Sequence, residues 1–509
     1  MHSKTHFFKN LTRTKIAPSR FYQASRLSAL VALLIFLTAP PLYAQYAQKY
    51  AQNDHFDQLP DLGSQAANFL SDGEAEKLGK AFIRQSRYRQ PYVSDPELVN
   101  YINNLGQKLL AVSPDAGKNY QFYLIDNHII NAFAVPGGHI ALHTAILTKS
   151  ETESELASVV AHEISHVAQR HIARKLETSK YDSWIALGAL LAAAAAGGSD
   201  AAQAAFGLAN ASIIDRQLHY SRSFEAEADS HGIRLLSHAG FKPSAMPVFF
   251  KRLLDESRLN KSSAPEFLRS HPLTINRIAE SAERVRAYPE GPDRDEFDFQ
   301  MMRAKATSAY AKNKSVARDH YKNLISLGDD SLPTRYGYAL ALSENAEYEE
   351  ARKQFKQLLI KHPDNITLKL GQAENEQYAN KVDESLRLFK ALYEEQTAKG
   401  NHIVDIYYAN ALVLVKRHET AIPILRSAIA NNRNEPYFHH LLSRAYGETG
   451  DNFRSFQERG EYHYLRGNYE FALKQFQRAK TFTDSDYELA RIGARIDDVE
   501  MEIEAIKNL

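Results

Sequence analysis

Between Glu151 and Leu176, apolar residues recur at helical spacing. Leu156, Val159, Val160, Ile164 and Val167 form one stripe, with no Pro or Gly inside. The period predicts a single part-buried helix over this stretch. A second helical segment opens on Ser221-Arg222-Ser223-Phe224-Glu225-Ala226-Glu227-Ala228-Asp229 and runs to about His238. Upstream, Asn131-Ala132-Phe133-Ala134-Val135-Pro136-Gly137-Gly138 leads into a β-rich run from His139 to Leu142. Two further segments, Trp184 to Gly198 and Ala201 to Ile214, are almost wholly apolar and Ala-rich. They are too short to span a bilayer. Either they form an apolar hairpin that gates the cleft or touches a membrane surface, or they are two buried helices.

The pattern changes near Tyr288 to Asp298, where Pro289, Gly291 and Pro292 sit among acids. Beyond this point a small-x-x-x-large pair repeats: Ala317…Tyr321, Ala351…Phe355, Ser385…Phe389, Ala421…Leu425 and Ala472…Phe476. Steps near 34 residues are the tetratricopeptide period. Such helix pairs stack into a superhelix with a concave binding face. One pair is irregular, because Ser455 is followed by Arg459 where a large apolar residue is expected. A C-terminal capping helix would account for it.

At the N-terminus, Lys4, Lys9, Arg13, Lys15, Arg20 and Arg26 precede any acid, the first being Asp54. The apolar run Leu27 to Leu37, Pro40-Pro41 and Leu42-Tyr43-Ala44 follow, the order of a secretory signal peptide. A transmembrane anchor needs about 20 apolar residues, and a mitochondrial presequence would space them amphipathically. The expected domains are therefore a signal peptide (1–44), a metallopeptidase domain (45–288), a linker (289–300) and a repeat domain (301–509). With no cysteine there is no disulfide framework or lipid attachment site. A net charge of +1, from 62 basic and 61 acidic residues interspersed, leaves no nucleic-acid footprint. The 20 histidines are scattered and form no storage tract.

Five of the helical residues carry chemistry: His162-Glu163-Ile164-Ser165-His166. Histidines four apart share a helix face and can reach one metal ion, leaving the glutamate between them free as a base. With three protein ligands, one Zn²⁺ per chain keeps an open position for an activated water. The metzincin extension would need Gly at 169 and His at 172, but Gln169 and Ile172 stand there. The third ligand must come from elsewhere. His171 lies half a turn of the wheel from His162 and reads as structural. Glu225 can complete a His₂Glu site and Asp229 can orient a ligating histidine, while Glu227 reads as a solvated charge.

HExxH followed by SRxxExxAD resembles the gluzincins that include the HtpX heat-shock protease and the CAAX prenyl proteases. The Asn131–Gly138 element and Ser270-His271-Pro272 with Arg277 extend the resemblance from Asn131 to Arg277. His143-Thr144-Ala145 departs from it, since relatives often carry a Gly-containing turn there. The resemblance implies an α+β zinc metallopeptidase, mostly helical with a small sheet at the cleft, followed here by an all-α repeat solenoid. It places the strand His139-Ile140-Ala141-Leu142 beside the cleft, where it is expected to bind substrate by β-augmentation. It also places the loop of His271 near the site, where that residue is expected either to be a fourth ligand that holds the resting enzyme silent or to be a substrate-facing or structural histidine. Arg277 either stabilises the oxyanion or pairs with an acid.

Exported gluzincins with such repeats work in the periplasm of Gram-negative bacteria on outer-membrane barrel proteins at the barrel assembly machinery. The resemblance implies those protein partners here, with possible peripheral membrane contact. Two functions fit the residues. One is an endopeptidase whose repeats select unfolded or misassembled proteins while the peptidase domain holds its site alone. The other is an assembly chaperone with a latent peptidase site. An intramembrane protease would need spanning helices.

Overall fold

The structure is a computed structural model, and it describes residues 70–178, 222–259, 266–292, 296–396 and 400–507. The expected signal peptide and the apolar segments at 184–198 and 201–214 lie outside the described residues. Helix α1 (Asp72–Arg89) starts at a capping box in which Ser71 and Glu74 satisfy each other's backbone N–H. Helix α2 (Pro96–Leu110) follows Asp95, whose side chain accepts from Leu98 N, with Pro at the first turn. A three-stranded sheet comes next: β1 (Gln121–Ile125), β2 (Ala132–Val135) and β3 (His139–His143).

The sheet order is β1-β3-β2, with β3 parallel to β1 and antiparallel to β2. The strand expected to take substrate is thus the central one, wholly buried, and both its edges are paired. It has no backbone groups left for β-augmentation. The tight return Val135-Pro136-Gly137-Gly138-His139 explains this, since it folds β2 back along β3 and puts β2 at the edge. Gly137 and Gly138 have φ of 80° and 81°, values that favour glycine. At His143 the chain passes directly into α3 (Thr144–Lys149). His143 Nδ1 lies 2.8 Å from Ile129 O and Thr144 Oγ1 bonds the backbone of Asn127, so no glycine turn is needed.

The helix expected over 151–176 is two helices, α4 (Glu153–Ala168) and α5 (His171–Thr178). Arg170 breaks it by adopting φ 52°, and its guanidinium is held by Leu70 O and Asp72. Helix α6 (Arg222–His238) lies against α4. Gly232 permits that approach, since a Cβ there would stand 2.8 Å from Met246 Cε and 3.3 Å from His162 N. Helices α7 (Ala245–Leu259), α8 (Glu266–Ser270) and α9 (Ile275–Val285) complete the domain. Ile102, Ile140, Leu142, Val160, Ile164 and Phe250 are fully buried in its core.

Helix α10 (Phe297–Ala309) begins inside the expected linker and buries Phe299 and Met302 in the same core. The repeats follow as α11 (Lys314–Ser326), α12 (Leu332–Glu344), α13 (Tyr348–Lys361), α14 (Ile366–Tyr378), α15 (Val382–Gln396), α16 (His402–Leu414), α17 (His418–Asn431), α18 (Pro436–Glu448), α19 (Asn452–Leu465) and α20 (Tyr469–Lys480). The small-large pairs sit buried where these helices meet; Phe355 fills the space left by Gly371. Ser455 keeps the register, donating to Ser443 O at 2.8 Å as Ser385 donates to Ala373 O at 2.9 Å. The final helix, α21 (Asp486–Lys507), covers Phe476 with Ile492 and Val499, the capping helix expected.

One core runs from Val93 to Leu368, through the peptidase domain and into the first repeats. Lys305 on α10 is buried and bonds Asp95 at 2.8 Å, Glu97 at 2.6 Å and Tyr407 Oη at 2.6 Å. Thr367 donates to Glu97 at 2.7 Å. The start of α2 is thereby tied to α10, α14 and α16. Asp95 and Glu97 of the peptidase domain thus take their partners from beyond residue 300.

Candidate active site

Helix α4 starts at Thr152, whose side chain accepts from Glu155 N. Three turns later His162, Glu163 and His166 face inward, each almost fully buried. The Nε2 atoms of the two histidines lie 3.0 Å apart. Glu225 of α6 brings Oε1 to 3.4 Å from His166 Nε2 and Oε2 to 3.6 Å from His162 Nε2. His271 follows α8, its N–H bonded to Phe267 O at 2.8 Å and its ring stacked on Phe267. Its Nδ1 stands 3.2 Å from His162 Nε2 and 3.0 Å from Glu225 Oε1.

Donors bound at about 2.0–2.1 Å around a tetrahedral ion are separated by about 3.3 Å. The four groups converge at 3.0–3.6 Å, the edges such an ion imposes. His162 Nδ1 lies 3.0 Å from Asp229 Oδ1, which leaves Nε2 as a lone pair directed at the cluster. Lone pairs brought this close need a cation between them. The donor set fits a metal.

Orientation comes from a second ring of contacts. Arg277 grips Asp229 with Nε at 2.5 Å and Nη2 at 2.8 Å, and its Nη1 reaches Glu225 Oε2 at 2.5 Å and Pro272 O at 3.2 Å. Of its two expected roles it takes acid pairing. Four of its five N–H groups are on a carboxylate or carbonyl. Thr274 places it, capping α9 by accepting from Arg277 N. Burial alone would raise Glu225, but His271 and Arg277 outweigh it and hold it well below the carboxylate range. Asp229 is held down against burial by Arg277. Burial pushes the Glu163 carboxyl up, with His271 and His162 pulling it back. His166 is driven well down by burial.

Two residues read as bystanders are part of this ring. The break at Arg170 turns His171 back, so that its Nδ1 meets His166 Nδ1 at 2.8 Å. Its Nε2 stands 3.3 Å from Glu227, which Arg174 holds with both oxygens at 3.0 Å. Glu227 is half-buried rather than solvated, and its hydrogen bond to His171 and the Arg174 cation bring it to about 2. It thus supports His166 through His171, as Asp229 supports His162. A single helix through 151–176 hides this, and no residue type signals a left-handed Arg170.

The sheet edge beside the site belongs to β2, not to β3. His143 N donates to Asn131 O at 2.9 Å, so in the antiparallel alternation the even-numbered residues of β2 turn their backbone outward. Phe267 N takes the outward Ile130 O at 3.1 Å, and the edges of Ala132 and Ala134 follow. A cleft of about 330 Å³ opens beside them, bounded by Ala134, Val135, Gly137, Gly138, His166 and Val167. No described helix is long and apolar enough to cross a membrane.

An HExxH helix, a carboxylate on the following helix and an edge strand beside them define a metal-dependent endopeptidase that acts on protein substrates. Residues 96–285 match peptidase family M48. A relative from Vibrio cholerae is 36% identical over 485 residues, 94% of this chain and 98% of its own. The Beta-barrel assembly-enhancing protease of Escherichia coli (strain K12) is 32% identical over 482 residues, 92% of this chain and 95% of its own. The Mitochondrial metalloendopeptidase OMA1 of Schizosaccharomyces pombe is 30% identical over 178 residues, 35% of this chain and 50% of its own. The chain belongs to peptidase family M48, and it is similar to beta-barrel assembly-enhancing proteases over nearly its whole length.

Proposed function

We propose that this chain is an exported zinc endopeptidase of the Gram-negative periplasm that works on outer-membrane barrel proteins at their assembly machinery. The observation that carries the chemistry is the convergence of His162, His166 and Glu225 at 3.0–3.6 Å beside the buried Glu163. These three residues would hold the zinc, which when bound activates a water for attack and polarises the scissile carbonyl. The edge of β2 receives the substrate backbone as an added strand, which selects unfolded segments over folded ones. Glu163 receives a proton at its carboxylate and delivers it to the leaving amine. Its carboxyl points into the site, 3.4 Å from His271 Nε2. The client follows from the full-length similarity to proteins with the barrel-assembly name.

His271 supports a latent resting state. Its Nδ1 stands as a fourth donor where water would enter, so substrate cleavage requires the His271 loop to move. A scaffold whose peptidase site stays silent shares this geometry, and one digestion separates the two. Wild type and Glu163→Gln are incubated with a misfolded barrel protein, with and without chelator, and their zinc is measured. An active endopeptidase requires chelator-sensitive cleavage by wild type, none by Glu163→Gln, and equal zinc in both. No cleavage by zinc-loaded wild type would leave only the scaffold.

A further inference from the structure

On α18, α19 and α20 a row of rings runs across the surface. His440, Tyr462, His463 and Phe471 have successive centroids 5.1, 5.1 and 5.6 Å apart. That spans about four or five residues of extended chain at about 3.3 Å each. Phe471 is half exposed, though it is large and apolar. Arg466 lies over the Tyr462 ring and donates to its hydroxyl at 2.7 Å, which fixes the middle of the row.

Arginines gather around this row, with Arg444, Arg459 and Arg466 acting on its rings. Arg444 and Arg459 are exposed and make no ion pair among the described residues. Some arginines elsewhere on the repeats, such as Arg352, Arg387 and Arg495, are paired, while Arg417, Arg426 and Arg433 likewise make no ion pair among the described residues. Nearby acids are already taken: Asp451 by Arg454, Glu458 by His439 and Glu461 by Arg495. Burial lowers both the His440 and His463 rings, and positive charges add to it, from Arg444, Arg459 and Arg466 at His440 and from Arg459, Arg466 and His440 at His463. Exposed aromatic rings with unpaired arginines are the composition of interface hot spots. Unpaired cations in a strip this narrow, with exposed Glu448 and Glu470 on the same helices, suit a single extended chain better than a flat bilayer.

We infer that this seam is a docking surface for an extended acidic polypeptide segment, its carboxylates meeting Arg444 and Arg459 and its side chains lying along the ring row. The inference rests on the reading that the repeats dock clients or the assembly machinery, and it gives that docking a chemistry. It lies apart from the metal site and needs no turnover.

The test uses the full chain in the Glu163→Gln background, to prevent digestion, and a fluorescent octapeptide alternating Glu and Phe. A Lys-Phe octapeptide and phosphatidylglycerol vesicles serve as comparisons. Anisotropy should show binding of the Glu-Phe peptide, weakened at least tenfold by Arg444→Glu/Arg459→Glu and largely kept by Arg444→Lys/Arg459→Lys. Affinity should fall as salt rises. Thermal unfolding of each variant reports that the repeats remain folded. Equal binding of both peptides, or no effect of charge reversal, would overturn the inference. So would charge reversal that releases vesicles but not peptide. A client that still binds the charge-reversed protein at wild-type strength would remove this seam while leaving repeat docking intact. A client that also binds after the repeats' other faces are blocked would remove repeat docking itself.

Discussion

Replacing Arg277 by methionine separates its orienting role from a catalytic one. The guanidinium is buried, 2.5 Å from both Asp229 and Glu225, and donates a second bond to Asp229 at 2.8 Å. Methionine keeps the apolar stem but leaves two buried carboxylates without their cation. Breaking a buried pair in this way costs about 3–5 kcal/mol. A second loss falls on the metal, because Asp229 orients His162 and Glu225 is in the donor set. Disturbing such supports lowers metal affinity about 10–100-fold, a further ~1.4–2.7 kcal/mol of stability at saturating metal. Arg277→Lys should fall between, retaining charge but losing the fork. Chelator competition measures the affinity, and denaturant unfolding of apo and metal-loaded protein measures the stability. A methionine variant with wild-type affinity and stability but lost turnover would refute the orienting role and restore an oxyanion role.

Ala134→Pro removes one outward N–H from the β2 edge, and at about 1 kcal/mol per hydrogen bond it should lower kcat/KM on an unstructured peptide about fivefold. An unchanged kcat/KM would move substrate elsewhere. His271→Ala should raise basal proteolysis, self-cleavage included, at unchanged zinc content; slower cleavage would instead make His271 a transition-state group. Burial holds the Glu374 carboxyl up at about 8 although Lys305 stands 3.8 Å away. A folded pKa above the unfolded value gives stability that is full below the ordinary 4.5 and lost as pH rises through about 8. Glu374→Gln should therefore raise the thermal midpoint at pH 9 by the equivalent of about 1–3 kcal/mol and leave it little changed at pH 5. Parallel pH profiles for the two proteins would remove that assignment.

The metal donors were legible because helix geometry leaves so few choices. A pair of histidines four apart must share a face, and Glu225 with Asp229 repeats that spacing on α6. The repeats were legible for a similar reason: Ala351 and Phe355 pack against the same neighbour whatever lies outside. What escaped depends on single backbone choices that residue type does not announce. Arg170 in a left-handed conformation costs strain that Leu70 and Asp72 offset, and only that turn brings His171 to His166. Sheet order escaped too, since β2 and β3 are both short apolar runs and the Gly137-Gly138 return decides which lies at the edge. Gly232 was unremarked, although its missing Cβ sets how near α6 comes to His162.

The same contacts change what the repeats can do. A solenoid read by itself offers its whole inner face to partners. Here α10, α14 and α16 already hold the start of α2, where Lys305, Thr367 and Tyr407 satisfy Asp95 and Glu97. Further along, Arg84 of α1 donates to Tyr469 Oη at 2.8 Å and to Glu502 at 2.9 Å, and Arg87 donates to Asn434 O at 2.8 Å. Helix α1 in turn presses on the cleft wall: a Cβ on Gly79 would stand 2.0 Å from Pro136 O, and a Cβ on Gly137 2.6 Å from Glu76 Cα. The helix that packs against Pro136 and Gly137 is therefore anchored at its far end to α20, α21 and the chain just before α18. Packed contacts thus run without a gap from Tyr469 and Glu502 through α1 to the β2 turn.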